Sequence, residues 1–535
     1  MPLNIADLFE HAVDVVPDRT ALIVDDVQIT FADLERDANR FAHHLASRGV
    51  VAGDHVGILS TNTIEHVVAM LGIFKLRAAS ININYRYTEK ELAYIAGEAD
   101  LVGLVYQRSF SQIVGRVAGR HPLKALVVVE DGSDEIAGDG DPSGDPWQQA
   151  LADSSPERDF GPRSPDDHYL LFTGGTTGYP KGVVWRHEDV WRVLGGGVDF
   201  MTGEEREEFS QSRAAAESAP MMTFPLSPMM HGASQWGTLM HLFAGHTTVL
   251  AGRFDPDEVW RTIDRHGVQV LFMTGDAMGR PLIDAFESGD YDGSSLFAVA
   301  SSAAQFSLPV KQRWMAQFPN TLFTDSLGAS ETGFTGSSVL SDSTLSSEGP
   351  VVDPAPGTVV FDDDLTIVDL ATNVGFVGRN GRTGSIPLGY YKDEEKSKAT
   401  FVIVDDVRYA VPGDYVRIEE GGRLTLLGRG SNCINTGGEK VYPEEVEIAL
   451  KSYPDVYDAL VVGIPDDRWG QLVSAVVQPV PGTAPTLDEI NAHLRDQISG
   501  YKLPRVMVLV DDMPRHVTGK ANYPAAKEIV VEVRT

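Results

Sequence analysis

Short apolar strands alternate with helices through the first third of the chain, and this alternation constrains the fold more than any other feature. His55–Leu59, Ala79–Ile83 and Leu101–Tyr106 are apolar runs of strand length. Between them, Ile64–Leu76 and Glu89–Ala99 place apolar residues at helical spacing. Strands separated by helices of this length pair in parallel and are covered on both faces. The sequence therefore predicts an α/β fold, with a large N-terminal domain of parallel-rich sheets flanked by helices.

Two other stretches depart from this pattern. Residues 130–167 are rich in Asp, Gly, Pro and Ser, which predicts a surface excursion and not a core element. The last hundred residues predict a small α+β domain, with a helix at Val446–Lys451 and strands at Ala459–Gly463 and Val473–Val477.

Charge and cysteine content exclude several classes of protein. The chain has 44 Lys and Arg against 76 Asp and Glu, a net charge of −32, which argues against nucleic-acid binding and against docking on anionic lipid. The single cysteine, Cys433, excludes an internal disulfide framework and any site built from several cysteines. We find no apolar run near 18 residues and no basic leader, so we expect no integral membrane association and a cytoplasmic location.

An apolar strand, His168–Phe172, runs directly into a loop rich in glycine and threonine. Glycines let backbone N–H groups turn toward an anion, and the threonine hydroxyls and Lys181 add donors and positive charge. The loop therefore predicts a polyphosphate site. It is not a Walker A loop, because Gly182 follows the lysine where that motif has Ser or Thr. The expected phosphate-binding residues are Thr173, Gly174, Gly175, Thr176, Thr177, Gly178 and Lys181.

Residues 173–182 closely resemble the signature of the adenylate-forming, AMP-binding superfamily, which comprises acyl-CoA synthetases, luciferases and adenylation domains of peptide synthetases. That family usually has Thr-Ser-Gly-Thr-Thr-Gly-x-Pro-Lys-Gly, and here Gly174 replaces the serine. Further motifs follow in family order over nearly the whole chain. The resemblance implies ATP, Mg²⁺ and CoA as the cofactor and co-substrates.

Asp325–Glu331 resembles the family motif Asn-x-Tyr-Gly-x-Thr-Glu. The exocyclic amine of adenine is a donor, so the Asp325 carboxylate can accept from it. The resemblance assigns Glu331 to Mg²⁺, which proteins commonly hold with one or two carboxylates, waters and phosphate oxygens. Leu327 replaces the tyrosine that covers adenine. The nucleotide residues expected here are Asp325, Ser326, Leu327, Gly328, Ser330 and Glu331.

Two segments resemble the walls of the family's acyl pocket. Pro228–His231 resembles the Pro-x-x-His element, whose histidine lies near the carboxylate of the acid, although a buried core histidine is an open alternative. Residues 302–305 stand where many relatives have Gly-Gly-Ala-Pro. The expected pocket residues are His231, Trp236, Asp276, Ser302 and Ala303.

The ribose is expected to bind further along the chain. Pro412–Asp414 resembles the family's Thr-Gly-Asp, whose aspartate accepts from both ribose hydroxyls. Leu427–Ser431 resembles the boundary motif Gly-Arg-x-Asp/Lys, in which Arg429 would reach the ribose.

Ser431 falls at the family's hinge, which divides the chain into an N-terminal domain, 1–429, and a C-terminal domain, 430–535. The resemblance implies that the small domain is mobile and turns about this hinge between two half-reactions. Pro514–Lys520 resembles the motif whose lysine completes the adenylation site, so the expected catalytic residues are Lys520, Glu331 and His231. The residues expected along the pantetheine arm of CoA are Gly437, Gly438 and Lys440.

Together these motifs predict an ATP-dependent, AMP-forming ligation of a carboxylic acid to CoA. Methionine and aromatic residues in the pocket segments suit a long-chain fatty or bulky steroid-type acid, although a plain core accounts for them equally well. Three alternatives stay open: transfer of the acyl group to a carrier protein, a luciferase-like oxidation, and a non-catalytic nucleotide-binding relative. The non-catalytic alternative is disfavoured because the chain keeps the family's functional residues, which are Lys181, Glu331, Asp414, Arg429 and Lys520. A homodimer is also considered.

Overall fold

The structure is a computed structural model that describes residues 3–133, 144–173, 180–199, 203–341, 345, 350–436, 439–466, 469–495, 497–516 and 519–534. For Arg429, Ser431 and Lys440 the description covers the backbone alone.

Within the described residues, helices α1 to α16 follow in chain order as Ile5–Val15, Phe31–Ser47, Ile64–Lys75, Glu89–Glu98, Ser111–Ala118, Trp147–Ala152, His187–Leu194, Ser210–Ala215, Gly232–Phe243, Pro256–His266, Gly275–Ser288, Leu308–Gln317, Glu394–Thr400, Pro443–Lys451, Leu487–Leu494 and Tyr523–Arg534.

In the same residues, strands β1 to β29 follow in chain order as Thr20–Val24, Val27–Thr30, His55–Leu59, Ala79–Asn82, Leu101–Gln107, Ala125–Val129, Asp145–Pro146, His168–Thr173, Lys181–Arg186, Met222–Pro225, Thr247–Leu250, Val270–Met273, Ala298–Ser302, Leu322–Ala329, Gly333–Val339, Val351–Pro354, Thr358–Phe361, Ile367–Val368, Val377–Thr383, Gly389–Tyr390, Phe401–Val404, Val407–Ala410, Asp414–Ile418, Leu424–Arg429, Ile434–Thr436, Glu439–Val441, Val456–Asp466, Gly470–Pro479 and Val506–Leu509.

The described chain forms two compact units. The first unit comprises Met1–Asp255, His266–Leu271 and Ser385–Phe401, and the second comprises the remaining segments. The second unit therefore holds both the middle of the chain and its C-terminal part. The predicted division at residue 429 is a different partition, based on a hinge, and it stays a prediction.

The first unit contains an eight-stranded sheet in the order β20-β9-β8-β4-β3-β5-β6-β7. Strand β3 pairs in parallel with both β4 and β5, which confirms the predicted parallel-rich α/β architecture. Its five residues are all buried, as expected for a strand covered on both faces. The strand direction reverses between β8 and β9, which are antiparallel neighbours and flank the glycine-rich loop.

The predicted surface excursion at residues 130–167 is partly wrong. It contains helix α6, and Trp147 and Leu151 of that helix are buried. The Trp147 ring lies 4.9 Å from the ring of Phe41 in α2. Burying a tryptophan removes a large apolar surface from water, so this segment contributes to the core despite its polar flanks.

Antiparallel strands dominate the second unit. Strands β14 and β15 form a hairpin, and β16, β24, β23, β19 and β17 continue the ladder in that order. Strand β13 is the parallel neighbour of β14.

The C-terminal residues of the second unit form a five-stranded sheet, which confirms the predicted small α+β element. Along β27, Ala459 and Val461 pack with α14 and α15, whereas Leu460 and Val462 pack with α16. This alternation follows from the two-residue period of a strand. Among the described residues, none of the helices combines the length and the apolar character needed to cross a bilayer.

Candidate active site

Strands β8 and β9 hold the two ends of the glycine-rich loop side by side. Thr173, the last residue of β8, pairs in register with Lys181, the first residue of β9. The five other predicted phosphate-binding residues, Gly174, Gly175, Thr176, Thr177 and Gly178, lie outside the described residues.

Lys181 is surrounded by acidic groups of the first unit. Its Nζ lies 3.4 Å from Glu98 Oε1 and 3.4 Å from Asp393 Oδ2. Partial burial opposes the charge, but Tyr94, Glu98 and Asp393 outweigh it and raise the pKa of the Lys181 ammonium. The side chain therefore stays cationic at neutral pH, as a phosphate-binding lysine must.

His231 lies at the N-terminal end of α9, in a turn closed by the bond from its backbone N–H to the Pro228 carbonyl, 3.0 Å. Trp236, one turn along α9, is buried, and its ring lies 5.3 Å from that of Tyr169 at 75°. The Tyr169 hydroxyl donates to Gln235 Oε1 at 2.7 Å, so α9 packs directly on β8.

Asn82 on β4 connects the strand that leads into the loop with the turn that carries His231. Its Nδ2 donates to the carbonyls of Phe172 and Met230, at 2.9 and 2.6 Å, and its Oδ1 accepts from the Phe172 N–H at 2.9 Å. Sequence analysis missed this residue. The available signal was a buried amide at the end of an apolar strand, a position at which a polar side chain needs partners.

In the second unit, the central strand β14 carries four of the predicted nucleotide residues. Asp325 and Ser326 are paired in register with Ser301 and Ser302 of β13. The Asp325 carboxylate is buried and forms an ion pair with the Lys311 ammonium of α12. Burial raises the pKa of the Asp325 carboxyl, and Lys311 only partly offsets that rise.

The remaining residues of this motif lie at the end of β14 and in the turn that joins it to β15. Leu327 packs in a hydrophobic cluster with Val352 and Val416, and Gly328 pairs with Phe334 across the hairpin. Ser330 and Glu331 lie in the turn itself, and the Glu331 side chain is buried.

Asp414 and Arg429, fifteen positions apart in sequence, occupy directly opposed positions in the antiparallel ladder of β23 and β24. The backbone N–H of Gly430 donates to the Gly413 carbonyl at 2.9 Å, which extends this pairing to the predicted hinge. Ser431 follows in a short 3₁₀ turn. Of the residues predicted to contact CoA, Lys440 lies on β26, and Gly437 and Gly438 fall outside the described residues.

The other predicted pocket residues also lie in the second unit. Asp276 is buried in the first turn of α11, and its Oδ1 accepts from the Ser307 N–H at 2.8 Å. Ser302 ends β13, and Ala303 follows it with φ +64°. A left-handed backbone favours glycine, which the family usually has at this position. His231 and Trp236 belong to the first unit, so a single pocket formed with Asp276, Ser302 and Ala303 stays a prediction.

Lys520 lies in a tight turn after β29. The His516 N–H donates to the Lys520 carbonyl at 2.8 Å, and Lys520 is an exposed residue. The nearby ammonium adds to the effect of burial in lowering the pKa of His516.

No group of three or more His, Cys, Asp or Glu side chains in the described part of the chain is arranged to hold a metal. Glu331 is a single buried carboxylate, and Mg²⁺ carried with a nucleotide needs only one or two protein carboxylates. The chemistry of Glu331 therefore fits Mg²⁺ bound jointly with ATP.

Comparison with protein families gives two matches. Residues 9–386 match the model of the AMP-binding enzyme, and residues 445–520 match the model of the AMP-binding enzyme C-terminal domain.

Curated relatives are similar over almost the whole chain. A medium/long-chain-fatty-acid–CoA/3-oxocholest-4-en-26-oate–CoA ligase of Mycolicibacterium smegmatis is 52% identical, covering 99% of this chain and 97% of that protein. A 3-oxocholest-4-en-26-oate–CoA ligase of Rhodococcus rhodochrous is 52% identical, with coverage of 99% and 96%. The crystal structure of the anthranilate CoA ligase AuaEII with anthranoyl-AMP superposes with a TM-score of 0.86 at 22% identity, covering 100% and 99% of the two chains. At that identity the structure shows the fold alone.

Proposed function

The chain belongs to the family of AMP-binding enzymes, and on that premise we propose that it ligates a long-chain fatty or bulky steroid-type acid to CoA through an acyl-adenylate. The observation that carries the proposal is the 52% identity, over 99% of this chain, to a ligase named for such acids. Enzymes of this kind use ATP, Mg²⁺ and CoA.

The reaction has two steps. A carboxylate oxygen of the acid attacks the α-phosphorus of ATP, the bond to the β-phosphate oxygen breaks, and acyl-AMP and pyrophosphate form. The sulfur of CoA then attacks the acyl carbon, AMP leaves, and the thiol proton is released. The protein contributes mainly by positioning the reactants and by stabilising charge.

The cationic groups act at the phosphates in this proposal. Lys181 supplies positive charge beside the loop that would bind the β- and γ-phosphates, and Glu331 would hold Mg²⁺, which neutralises phosphate charge when bound. Lys520 supplies a point charge between the substrate carboxylate and the α-phosphate.

Three further residues would bind the nucleoside. Asp325 accepts from the adenine amine, while Lys311 balances the charge of this buried carboxylate. Asp414 and Arg429 reach the ribose from opposed positions of one ladder, which supports assigning both to the same sugar.

The apolar side chains of the pocket segments support a hydrophobic acid. In the first unit Met229, Met230 and Trp236 are buried around the His231 turn, and in the second unit Met273 and Phe306 are buried near Asp276. Methionine is unbranched and polarisable, so such walls adapt to acids of different shape.

The test is a panel of acids incubated with ATP and Mg²⁺, with and without CoA. We expect AMP release and thioester formation that depend on CoA, with long-chain or steroid-type acids favoured over short and aromatic ones. Acyl-AMP that reacts only with a carrier protein would support the carrier-loading alternative. Absence of ATP consumption with every acid would support a non-catalytic relative.

A cytoplasmic location and a homodimer are two further parts of the proposal. Cell fractionation checks the location, and light scattering of the purified protein checks the assembly.

A further inference from the structure

Four charged side chains form a cluster in the second unit, which we call the docking cluster: Asp276, Lys451, Asp458 and Arg515. Lys451 ends α14, Asp458 lies on β27, and Asp276 lies in the first turn of α11. Lys451, Asp276 and Asp458 are all less than 10% exposed. The cluster has two acidic and two basic groups, and buried charges need such partners. The Arg280 guanidinium, 3.9 Å from Asp276 Oδ2, and the buried Glu447 carboxyl lie beside it.

Arg515 connects this cluster to the turn that carries Lys520. Its Nε and Nη2 donate to Asp458 Oδ2 and Oδ1 at 2.6 and 2.8 Å, a bidentate pair. Its Nη1 donates to the carbonyl of Gly519 at 2.9 Å. Gly519 precedes Lys520, so a single guanidinium fixes the backbone beside Lys520 to the sheet. A planar, bidentate fork holds orientation more firmly than a point charge does.

Lys451 connects the same carboxylate to α11. Its Nζ lies 3.3 Å from Asp458 Oδ1, 3.7 Å from Asp276 Oδ2 and 3.5 Å from Gln305 Oε1. Asp276 is itself held by the Ser307 N–H. The ammonium therefore joins the C-terminal sheet to the helix that begins at Gly275.

The Lys520 turn also touches α11 directly. Gly519 is buried, and a Cβ built on it would overlap the Cβ of Ala277. The turn can pack this closely on the helix only because residue 519 has no side chain. Two independent contacts, one ionic and one steric, thus place the turn against the same end of α11.

We propose that Asp458 and Arg515 are positioning residues for Lys520, and that Lys451 docks the C-terminal sheet on α11 in the arrangement that forms acyl-AMP. The inference rests on the proposed function. None of the three residues is assigned a contact with substrate, and each acts through the position of Lys520.

Ion pairs suit a contact that must separate. The desolvation penalty of a buried ion pair offsets much of its attraction, whereas an apolar contact of equal area would favour the docked state strongly. The charges of the docking cluster regain water when it opens. The cluster can therefore fix the position of Lys520 during acyl-AMP formation and still allow Lys520 to move away before the thiol attacks.

Lys451→Gln is the first test, because Asp458 retains Arg515 and Asp276 retains the Ser307 N–H when the ammonium is removed. The two half-reactions are measured separately: acyl-AMP formation from acid and ATP, and thioester formation from synthetic acyl-AMP and CoA. We expect acyl-AMP formation to fall about tenfold, the effect of losing one charge-assisted hydrogen bond, with thioester formation unchanged. Lys451→Arg should restore most of the lost rate.

Lys527→Gln is the matched control, because it removes an exposed lysine from α16 in the same C-terminal part, and it should change neither half-reaction. Arg515→Lys is the second variant, used if Lys451→Gln does not fold. It keeps the charge but loses the bidentate pair, and it should slow acyl-AMP formation by up to about 100-fold while sparing the thioester step.

The outcomes separate the inference from the function on which it rests. A wild-type protein that forms no acyl-AMP from any acid overturns the proposed function and this inference with it. An active wild type whose Lys451 and Arg515 variants lose both half-reactions equally, or lose neither, overturns the inference alone.

Discussion

Two buried charge networks, one in each unit, are built from the same kinds of group, ammonium, guanidinium and carboxylate. In the first unit, Lys75 Nζ lies 2.5 Å from Glu10 Oε1 and 2.8 Å from Glu35 Oε2. Arg163 binds Glu10 at 2.8 Å, and Arg158 binds Glu35 at 2.7 Å. We call these five residues the helix network, because its central lysine and both glutamates come from α1, α2 and α3. The docking cluster, in contrast, includes a residue that holds the turn of Lys520.

The difference shows that burial and charge pairing alone do not reveal what a network does. The helix network joins three helices that pack on one another, and it holds no predicted site residue. Burial lowers the pKa of the Lys75 ammonium despite the attraction of Glu35 and Glu10. Burial likewise opposes ionisation of Glu10, but Lys75 and Arg163 outweigh it and lower the pKa of that carboxyl. We therefore expect the helix network to support folding, whereas the docking cluster is proposed to orient Lys520.

The largest expected effect comes from Lys75→Met, which leaves two buried carboxylates without their shared partner. Breaking a buried ion pair from one side costs about 3–5 kcal/mol. Urea unfolding should show that loss, while the ratio of the two half-reactions in the folded fraction stays at the wild-type value. A change in that ratio would contradict the division of roles between the two networks.

Acid should weaken the first unit, whereas Asp458 of the docking cluster stays ionised. Burial lowers the pKa of His187 to about 4 from its usual value near 6.5. Between these two pH values His187 is protonated in the unfolded chain and neutral in the folded chain. The free energy of unfolding therefore falls as the pH drops from about 6.5 to about 4.

For one such histidine the loss is about 3 kcal/mol over that window. His187→Gln should remove its share of the pH dependence, measured by urea unfolding at pH 7, 6, 5 and 4. Parallel curves for variant and wild type would show that His187 is not the responsible group. Asp458, whose pKa is lowered by Lys451 and Arg515 against the effect of burial, keeps its charge throughout this window.

Gly519→Ala tests the steric contact of the docking cluster. The added methyl group overlaps Ala277, and φ at residue 519 is +77°, so the Lys520 turn must shift. We expect acyl-AMP formation to fall about tenfold or more, with thioester formation from acyl-AMP retained. Gly482→Ala is the matched control, because φ is +88° there and nothing lies within 4 Å of the added carbon. Equal effects of the two substitutions would assign the loss to backbone strain alone.

The smallest expected effect compares two equivalent helix caps. Thr88 and Glu91 form a capping box at α4 in the first unit, and Thr486 and Glu489 form one at α15 in the second. Replacing either threonine with alanine should cost about 1 kcal/mol of stability, measured by thermal unfolding, with neither half-reaction altered. A half-reaction that responds to Thr486→Ala would mean that any loss of stability in the C-terminal sheet disturbs Lys520.

Local periodicity predicts the regular elements well. The expected strand His55–Leu59 has the same bounds as β3, and the expected helix Ile64–Leu76 differs from α3 by one residue. Both segments are covered by neighbours on each side, so their apolar pattern directly reflects their surroundings. Trp147 was missed because its helix is short and lies among turn-forming residues, which hide the signal of one buried ring.

The candidate site was predicted motif by motif, but the side chains that connect the motifs were not. Asp276 was expected in a pocket, and the structure also places it beside Lys451, a residue 175 positions away along the chain. Lys311 is likewise absent from every motif, although it forms an ion pair with Asp325. Pairings of this kind depend on how sheets and helices are assembled, which the spacing of residues along one segment does not encode.

The Asn82 carboxamide fixes the distance between two segments of the first unit. Because it binds the carbonyls of Phe172 and Met230 at once, the strand entering the glycine-rich loop and the turn of His231 cannot slide past one another. The carboxyl group of the acid would then take the same position relative to the nucleotide for every substrate. Differences in length or ring number would have to be accommodated at the distal end of the acid, so selectivity and chemistry could change independently in this scaffold.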